Sequence, residues 1–419
     1  MSAGADADAP ADAPAASPLR NRAFLALLLY RICAGLSYQV VAVTVGWHIY
    51  TITRDPFALG LVGLAEIVPY FCVAPFAGYL VDHLRRRTLG AIACLGLMVT
   101  ALALAAIAHT SLGERETWPI YAAISLTGMV RAFLTPVYNA LFARVLPREQ
   151  FVRGASLGSV VFQAGLVLGP ALGGVLVGWA GVAQAYAVAG AFGLAAAVAV
   201  YRLRVTEPPL LLQRAPVFAS IHEGLRFVFG NQIMLGAMAL DMFSVLLGGA
   251  VSMLPAFIRD ILHWGPEGLG ILRAMPAAGS ICVALWLARH PLEKHAGRVL
   301  LFAVAGFGLC TIAFGLSRHF WLSAAILVMY GMCDGVSVVM RSTILQLATP
   351  DDMRGRVSSI NGIFIGSSNE LGAFYDGTMA RWLGLVPAVV LGGCVTLGVV
   401  AITALRAPRL RRLDLRELQ

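Results

Sequence analysis

The chain has 419 residues, 59% of them hydrophobic and only 13% charged, with a formal net charge of +9. Soluble domains carry roughly 25% charged residues, so the composition excludes a soluble globular protein. It also points away from nucleic acid, the usual reading of a basic soluble domain, because the arginines gather in short loops between apolar segments. Those segments are about 20 residues long, enough for a helix to cross hydrocarbon, and they recur along nearly the whole chain. The ~10-residue alternating segments of a β-barrel do not appear. The expectation is a multi-pass α-helical membrane protein with the lipid bilayer as its solvent.

Residues 1–21 form a tail rich in Ala, Asp and Pro up to Ser17, expected to be disordered. It has no basic n-region followed by a short apolar core, so it does not read as a signal peptide. Six spans follow, over 22–50, 58–81, 88–108, 118–146, 154–180 and 183–201, forming an N-terminal bundle over 22–204. A polar linker occupies 205–231. In it Phe218, Ile221, Leu225 and Val228 fall at helical spacing, opposite Ser220, His222, Glu223 and Arg226. That pattern suits an amphipathic helix at the membrane surface. Six more spans, over 233–258, 268–288, 299–316, 321–348, 357–379 and 386–405, form a C-terminal bundle over 232–405, and a basic tail closes the chain over 406–419.

Twelve spans put both termini on one side. Loops on that side hold Arg85, Arg86 and Arg87, then Arg148 and Arg153, Arg202 and Arg204, Arg289 and Arg298, Arg354 and Arg356. The other side holds only Arg54, Arg115, Arg259, Arg318 and Arg381. The positive-inside rule places both termini in the cytoplasm, which makes the cytoplasmic membrane the expected location. The seven cysteines all lie in apolar segments and read as small buried hydrophobes without disulfides. No His/Cys cluster has metal spacing. His48 and His109, near outer helix ends, read as solvated.

The second span is expected to end at Asp82 and the third to begin at Thr88, with a basic turn between. Small Gly78 permits close helix packing, Asp82 can accept charge-assisted hydrogen bonds, and Arg86 and Arg87 anchor the turn in the cytoplasm. The chain also repeats itself. A shift of 203 residues aligns Gly128 with Gly331, Pro147 with Pro350, Arg153 with Arg356 and Ser156 with Ser359. A shift of 210 aligns Leu59 and Gly60 with Leu269 and Gly270, and Arg31 with Asp241. This is a parallel duplication of six spans, an arrangement found in two-bundle transporters.

At this point the chain resembles the major facilitator superfamily. Gly78, Asp82, Arg86 and Arg87 are similar to its loop 2–3 signature, with Arg85 where Gly is usual. Gly165, Gly169, Pro170, Gly173 and Gly174 resemble the fifth-helix motif of its antiporters, although small residues at this spacing also serve plain helix packing. Leu240 to Ser244, Leu254-Pro255, Asp334 to Arg341 and Thr349 to Val357 resemble the enterobactin-exporter-like branch. The resemblance spans 22–406. It implies an all-α fold of twelve helices in two six-helix bundles related by a pseudo-two-fold. It further implies a monomeric exporter of a siderophore-like or drug-like small molecule, working by alternating access and proton antiport. Such a protein is not an enzyme and takes no cofactor beyond the proton gradient. The alternatives are an importer or facilitator, and a non-transporting sensor.

Charges inside the bilayer cost at least about 2.5–3.5 kcal/mol each, so they should face partners or water. Arg31, Arg131, Asp241 and Asp334 lie within the first, fourth, seventh and tenth spans, which the resemblance places around the central cavity. Both repeat-related pairs, Arg31 with Asp241 and Arg131 with Asp334, invert charge. Arg341 follows Asp334 by seven residues, and Tyr138 follows Arg131 by seven, so each pair shares a helix face. Asp241 and Asp334 are candidate proton carriers or cation sites, with Arg31, Arg131 and Arg341 as their counter-charges or anion sites; structural ion pairs are the competing reading. Glu66 and Glu370 are a second proton-site candidate if they meet, but separate polar partners are expected for them. Arg273 and Asp376 are expected nearer the outer mouth. No P-loop appears, so the chain is not a self-contained ATP-driven pump.

Overall fold

The computed structural model describes residues 18–110, 116–147, 150–205, 217–290, 295–350 and 353–414. Residues 1–17, for which a disordered tail is expected, lie outside it. The first six membrane-length helices are Arg22–Thr53, Pro56–His83, Arg86–Ala108, Trp118–Val145, Phe151–Ala180 and Val182–Tyr201. Helix Val217–Gly230 occupies the linker; of its expected faces only Glu223, Leu225, Arg226 and Val228 fall among the described side chains. The second half continues with a seventh span begun by Gln232–Gly248, then Pro266–Arg289, Ala296–Leu316, Phe320–Ala348, Arg354–Leu383 and Leu385–Arg406. The tail folds back as a short helix, Pro408–Arg411, with Leu410 buried.

Two spans depart from expectation. The seventh is broken: the helix stops at Gly248, a 3-10 turn covers Val251–Met253, and Leu254–Asp260 resumes. Two successive glycines weaken the helix, and Pro255 lacks the N–H that would continue it. The second helix ends at His83 and the third begins at Arg86, so the turn between them is tighter than the expected 82–88 break.

The duplication is written in the backbone. Asn21 caps the first helix, its Oδ1 accepting from the N–H groups of Ala23 and Phe24 at 2.9 and 3.3 Å. Asn231, 210 residues later, caps the seventh, accepting from Ile233 and Met234 at 3.0 and 3.3 Å. Pro56 and Pro266 each open their helices at the first turn, where a missing N–H costs nothing. Gly181 and Gly384, 203 apart, hold φ of +94° and +91° at the fifth-to-sixth and eleventh-to-twelfth turns, a conformation that only glycine adopts without strain.

Pro18, Asp414 and the linker helix Val217–Gly230 mark a proximal end; the opposite end is distal. The two halves meet at the distal end through two helix pairs, the fifth with the eighth and the second with the eleventh. These contacts are themselves pseudo-symmetric. A Cβ on Gly174 would lie 2.5 Å from the Pro266 carbonyl oxygen and 2.6 Å from Gly270 Cα. A Cβ on Gly377 would lie 2.7 Å from the Pro56 carbonyl oxygen and 2.9 Å from Gly60 Cα. One buried apolar cluster spans both halves here, joining Val43, Ile49 and Leu59 to Leu254, Phe257 and Leu269. The clusters at the proximal end each belong to one half among the described residues. Gly35, Gly362 and Gly366 face open space. Among the described residues the two halves are thus joined at the distal end, and no buried apolar cluster joins them at the proximal end.

The glycine seams carry a prediction. Gly174→Leu cannot be seated against Gly270 without separating the fifth and eighth helices. Overpacking costs about 1–3 kcal/mol, a roughly 5- to 150-fold shift away from the distally closed state. Thiol labelling of a cysteine placed at distal Val43 should rise accordingly.

Candidate functional site: a charged triad between the halves

Three helices converge on Arg131 because glycines let them. A Cβ on Gly128 would fall 2.1 Å from the Glu66 carbonyl oxygen, and one on Gly63 would fall 2.7 Å from the Glu370 carbonyl oxygen. The fourth helix therefore lies against the second, and the second against the eleventh, at one level. Arg131 is 13 residues from the distal start of its helix at Trp118, about 20 Å at 1.5 Å per residue, which is deep within a hydrocarbon core about 30 Å thick. Its Nη1 donates to Glu370 Oε1 at 2.9 Å and to Tyr38 Oη at 2.6 Å, and pairs with Glu66 Oε1. The guanidinium also lies 5.0 Å from the Tyr38 ring centroid and 5.6 Å from that of Tyr70.

The expectation of separate partners for Glu66 and Glu370 is thus wrong: both share Arg131. The second and eleventh helices touch at Gly63, so both carboxylates project into one space that holds this cation. Arg273 lies seven residues from the distal start of the eighth helix at Pro266, toward the mouth as expected, and within the electrostatic field of Tyr38, Glu66 and Glu370. The sequence signal for this convergence was a glycine three residues before Glu66 and another three before Arg131.

The other charges sort differently. Asp241 Oδ1 pairs with Arg341 Nη1, joining the seventh and tenth helices inside the second half, and both side chains are buried. The repeat-related position in the first half holds Arg31, whose guanidinium lies 3.9 Å from the Tyr138 ring centroid and 5.0 Å from that of Phe162. An ion pair in one half thus answers a cation–π contact in the other. Among the described residues no cation pairs with Asp334 and no carboxylate pairs with Arg31. The Asp241–Arg341 pair yields a double-mutant prediction. Asp241→Leu alone strands Arg341 and costs about 3–5 kcal/mol, whereas Asp241→Leu with Arg341→Leu costs less than either single change in detergent unfolding.

At the distal surface Tyr50 donates to Asp260, Arg54 lies 3.6 Å from Asp260, and Arg381 lies 3.5 Å from Asp55. All three contacts cross between the halves. Asp376 accepts from Ser252 of the broken seventh span at 2.7 Å. His48 is buried rather than solvated, its Nδ1 3.3 Å from the Tyr186 hydroxyl, because its side of the first helix packs on the sixth. Cys72, Cys282 and Cys394 are exposed rather than buried; their helix faces are turned outward.

In the fifth helix, Gly165, Gly169 and Gly173 face the first helix near Ile32, Gln39 and Val40, while Gly174 meets the eighth and the Pro170 carbonyl oxygen would lie 2.6 Å from a Cβ on Gly270. In the proximal turn Arg87 Nη1 donates to the Leu203 carbonyl at 2.9 Å and Arg86 Nε to the Val81 carbonyl at 3.4 Å. The side-chain roles expected for Gly78 and Asp82 lie outside the described residues.

The comparisons with known proteins agree with this architecture. The family model described as Major Facilitator Superfamily matches residues 27–373. The multidrug efflux pump Tap of Mycolicibacterium fortuitum is 24% identical over 402 residues, covering 93% of this chain and 97% of the relative. The enterobactin exporter EntS of Escherichia coli O1:K1 / APEC is 24% identical over 349 residues, covering 81% and 80%. Among solved structures, a bacterial homolog of the human lysosomal transporter Spinster, inward-facing and unoccupied, superposes with a TM-score of 0.71 at 15% identity over 96% of this chain and 97% of that one. A D-xylose-proton symporter superposes with a TM-score of 0.72 at 12% identity over 94% and 99%. With its two six-helix bundles and a family match over most of its length, the chain is a multi-pass membrane transporter, not an enzyme, and belongs to the major facilitator superfamily.

Proposed function

We propose that this transporter exports a small molecule from the cytoplasm in exchange for protons, and that the Glu66–Arg131–Glu370 triad is where the exchange is enforced. The observation that carries the reading is that Arg131 of the first half holds a carboxylate of its own half and one of the other. The distal end cannot open while Glu370 stays on Arg131. A proton on Glu370 removes the charge-assisted link and leaves Arg131 paired with Glu66. A substrate group that takes over either partner has the same effect. A carrier that reorients only when loaded with a proton or with substrate exchanges one for the other. Asp241 does not serve this gate, because its partner Arg341 lies in the same half.

Efflux is supported by the relatives, a multidrug pump and an enterobactin exporter, and by the fifth-helix glycines at the seam between the halves. The bias of arginines to the proximal loops supports a cytoplasmic proximal end, and with it the reading of this arrangement as inward-open. One elementary charge moving across 100 mV supplies about 2.3 kcal/mol, a roughly 50-fold gradient without ATP. The test uses inverted membrane vesicles with an acid interior and a panel of siderophores, aromatic acids and lipophilic amines. Gradient-dependent uptake supports export; gradient-dependent release supports the importer reading, which the symporter among the structural neighbours keeps in view.

A further inference from the structure

Four of the arginines lie in the helices around the cavity, and among the described residues two of them are in direct ion pairs. Arg131 pairs with Glu66 and Glu370, and Arg341 with Asp241; Arg273 makes no ion pair but lies in the field of both glutamates. Among the described residues Arg31 meets aromatic faces, Tyr138 at 3.9 Å and Phe162 at 5.0 Å, and no carboxylate. Asp334, on the opposite bundle, also has no counter-ion among the described residues. The two are not equivalent, because a carboxylate becomes neutral by taking a proton while a guanidinium does not give one up. Among the described residues Arg31 is therefore a permanent charge on the cavity face of the first helix that no carboxylate pairs with.

The surroundings of Arg31 form a receptacle. Arg31, Gly35 and Tyr38 follow one another at four and three residues along the first helix, on one face. Tyr38 meets Arg131, and Arg31 meets Tyr138, so two arginine–tyrosine rungs connect the first and fourth helices. They are about 10 Å apart along the axis, seven residues at 1.5 Å. Gly35 lies between them and has nothing within 4 Å of a Cβ position. Gly158 of the fifth helix guards the lower rung, since a Cβ there would fall 2.3 Å from the Tyr138 hydroxyl and 3.7 Å from Arg31 Nη1. The rings of Tyr138 and Phe162 stand at the Arg31 rung and that of Tyr38 at the Arg131 rung, with the space at Gly35 between them, and Arg31 is half-buried nine residues from the proximal start of its helix.

We propose that Arg31 is the anion subsite of the transported molecule, and that the substrate class is small aromatic anions whose acidic group lies on Arg31 and whose ring fills the hollow at Gly35. This rests on the exporter reading above. Charge-assisted hydrogen bonds to the guanidinium would supply the counter-ion that Arg31 lacks among the described residues.

The test uses the purified full chain and three probes sharing one ring system: 1-naphthoate, 1-naphthamide and 1-naphthylmethylamine. Binding is read from probe fluorescence, and movement from proteoliposomes under a pH gradient. The naphthoate should bind at least ~10-fold more tightly than the amide or the amine. Arg31→Gln should bring it down to the level of the amide, and Gly35→Leu should weaken all three, with both variants melting as the wild type does. Equal or tighter binding of the amine or amide, no binding of any probe, or an unchanged preference in Arg31→Gln would overturn the proposal. Gradient-driven movement of the amine that survives Arg31→Gln overturns the anion subsite alone and leaves export standing. Tight, Arg31-dependent naphthoate binding without gradient-driven movement supports the subsite and counts against proton exchange.

Discussion

Glu370→Gln should abolish uphill, proton-driven accumulation while leaving downhill equilibration intact. Glutamine keeps the shape and hydrogen-bonding reach of a protonated carboxyl but carries no charge and takes up no proton. The link from Arg131 across the halves, 2.9 Å in the structure, loses its ionic character permanently, so the carrier reorients whether or not it is loaded. Each pH unit across the membrane is worth about 1.4 kcal/mol, or tenfold, per proton exchanged. A two-unit gradient therefore supports a roughly 100-fold ratio in the wild type and a ratio of about one in the variant. Glu66→Gln should act more weakly, because Glu66 and Arg131 belong to one half and their pairing does not hold the halves together. Vesicle accumulation and counterflow of a compound that the wild type concentrates separate the two outcomes. Undiminished accumulation by Glu370→Gln would remove this residue from coupling.

Arg131→Leu should be the most destabilising single change among the cavity charges. It strands two carboxylates that both pair with Arg131, and breaking a buried ion pair from one side costs about 3–5 kcal/mol. The pair retains one escape, since carboxylates this close can share a proton. The loss should therefore shrink as the pH falls. Replacing Arg131, Glu66 and Glu370 together with leucine should restore most of the stability, because apolar residues of similar volume often match a buried ion cluster. Transport should stay absent in that triple variant. Thermal unfolding in detergent at two pH values, beside the vesicle assay, checks both halves of the statement.

The fold was legible because its constraints act on residue types. A membrane-spanning backbone must satisfy itself internally, so hydropathy locates most of the spans; the eleventh, Arg354–Leu383, carries Glu370, Asp376 and Arg381 and falls short by that measure among the described residues. The duplication shows because caps and tight turns demand Asn, Pro and Gly at matching places, as at Asn21 and Asn231 or Gly181 and Gly384. The site was half legible. The cost of burying charge marks Arg31, Glu66, Arg131, Asp241, Asp334, Arg341 and Glu370 as residues needing partners, but not which partners. That depends on how each helix is rotated and where neighbouring helices cross, and close crossings are set by single glycines such as Gly63 and Gly128. The repeat even misleads here: it sets Arg131 opposite Asp334, whereas the structure gives Arg131 to Glu66 and Glu370. Where the first half has Glu66 under Gly128, the second has Pro276 under Gly331, so the second bundle cannot build the same triad. The burial of His48 is not legible in the sequence for a related reason, since depth along a helix says nothing about which face a residue occupies.

The central claim is that a proton on Glu370 unlocks the distal end. A distance between spin labels at Thr51 and Arg318, exposed distal residues of the two halves, reads it directly once the native cysteines are replaced. Pulsed dipolar measurements should show a short distance at neutral pH, a longer component growing as the pH falls, and the longer component already present at neutral pH in Glu370→Gln. A Glu370→Gln variant that keeps the short distance at neutral pH and still opens on acidification like the wild type would contradict the account.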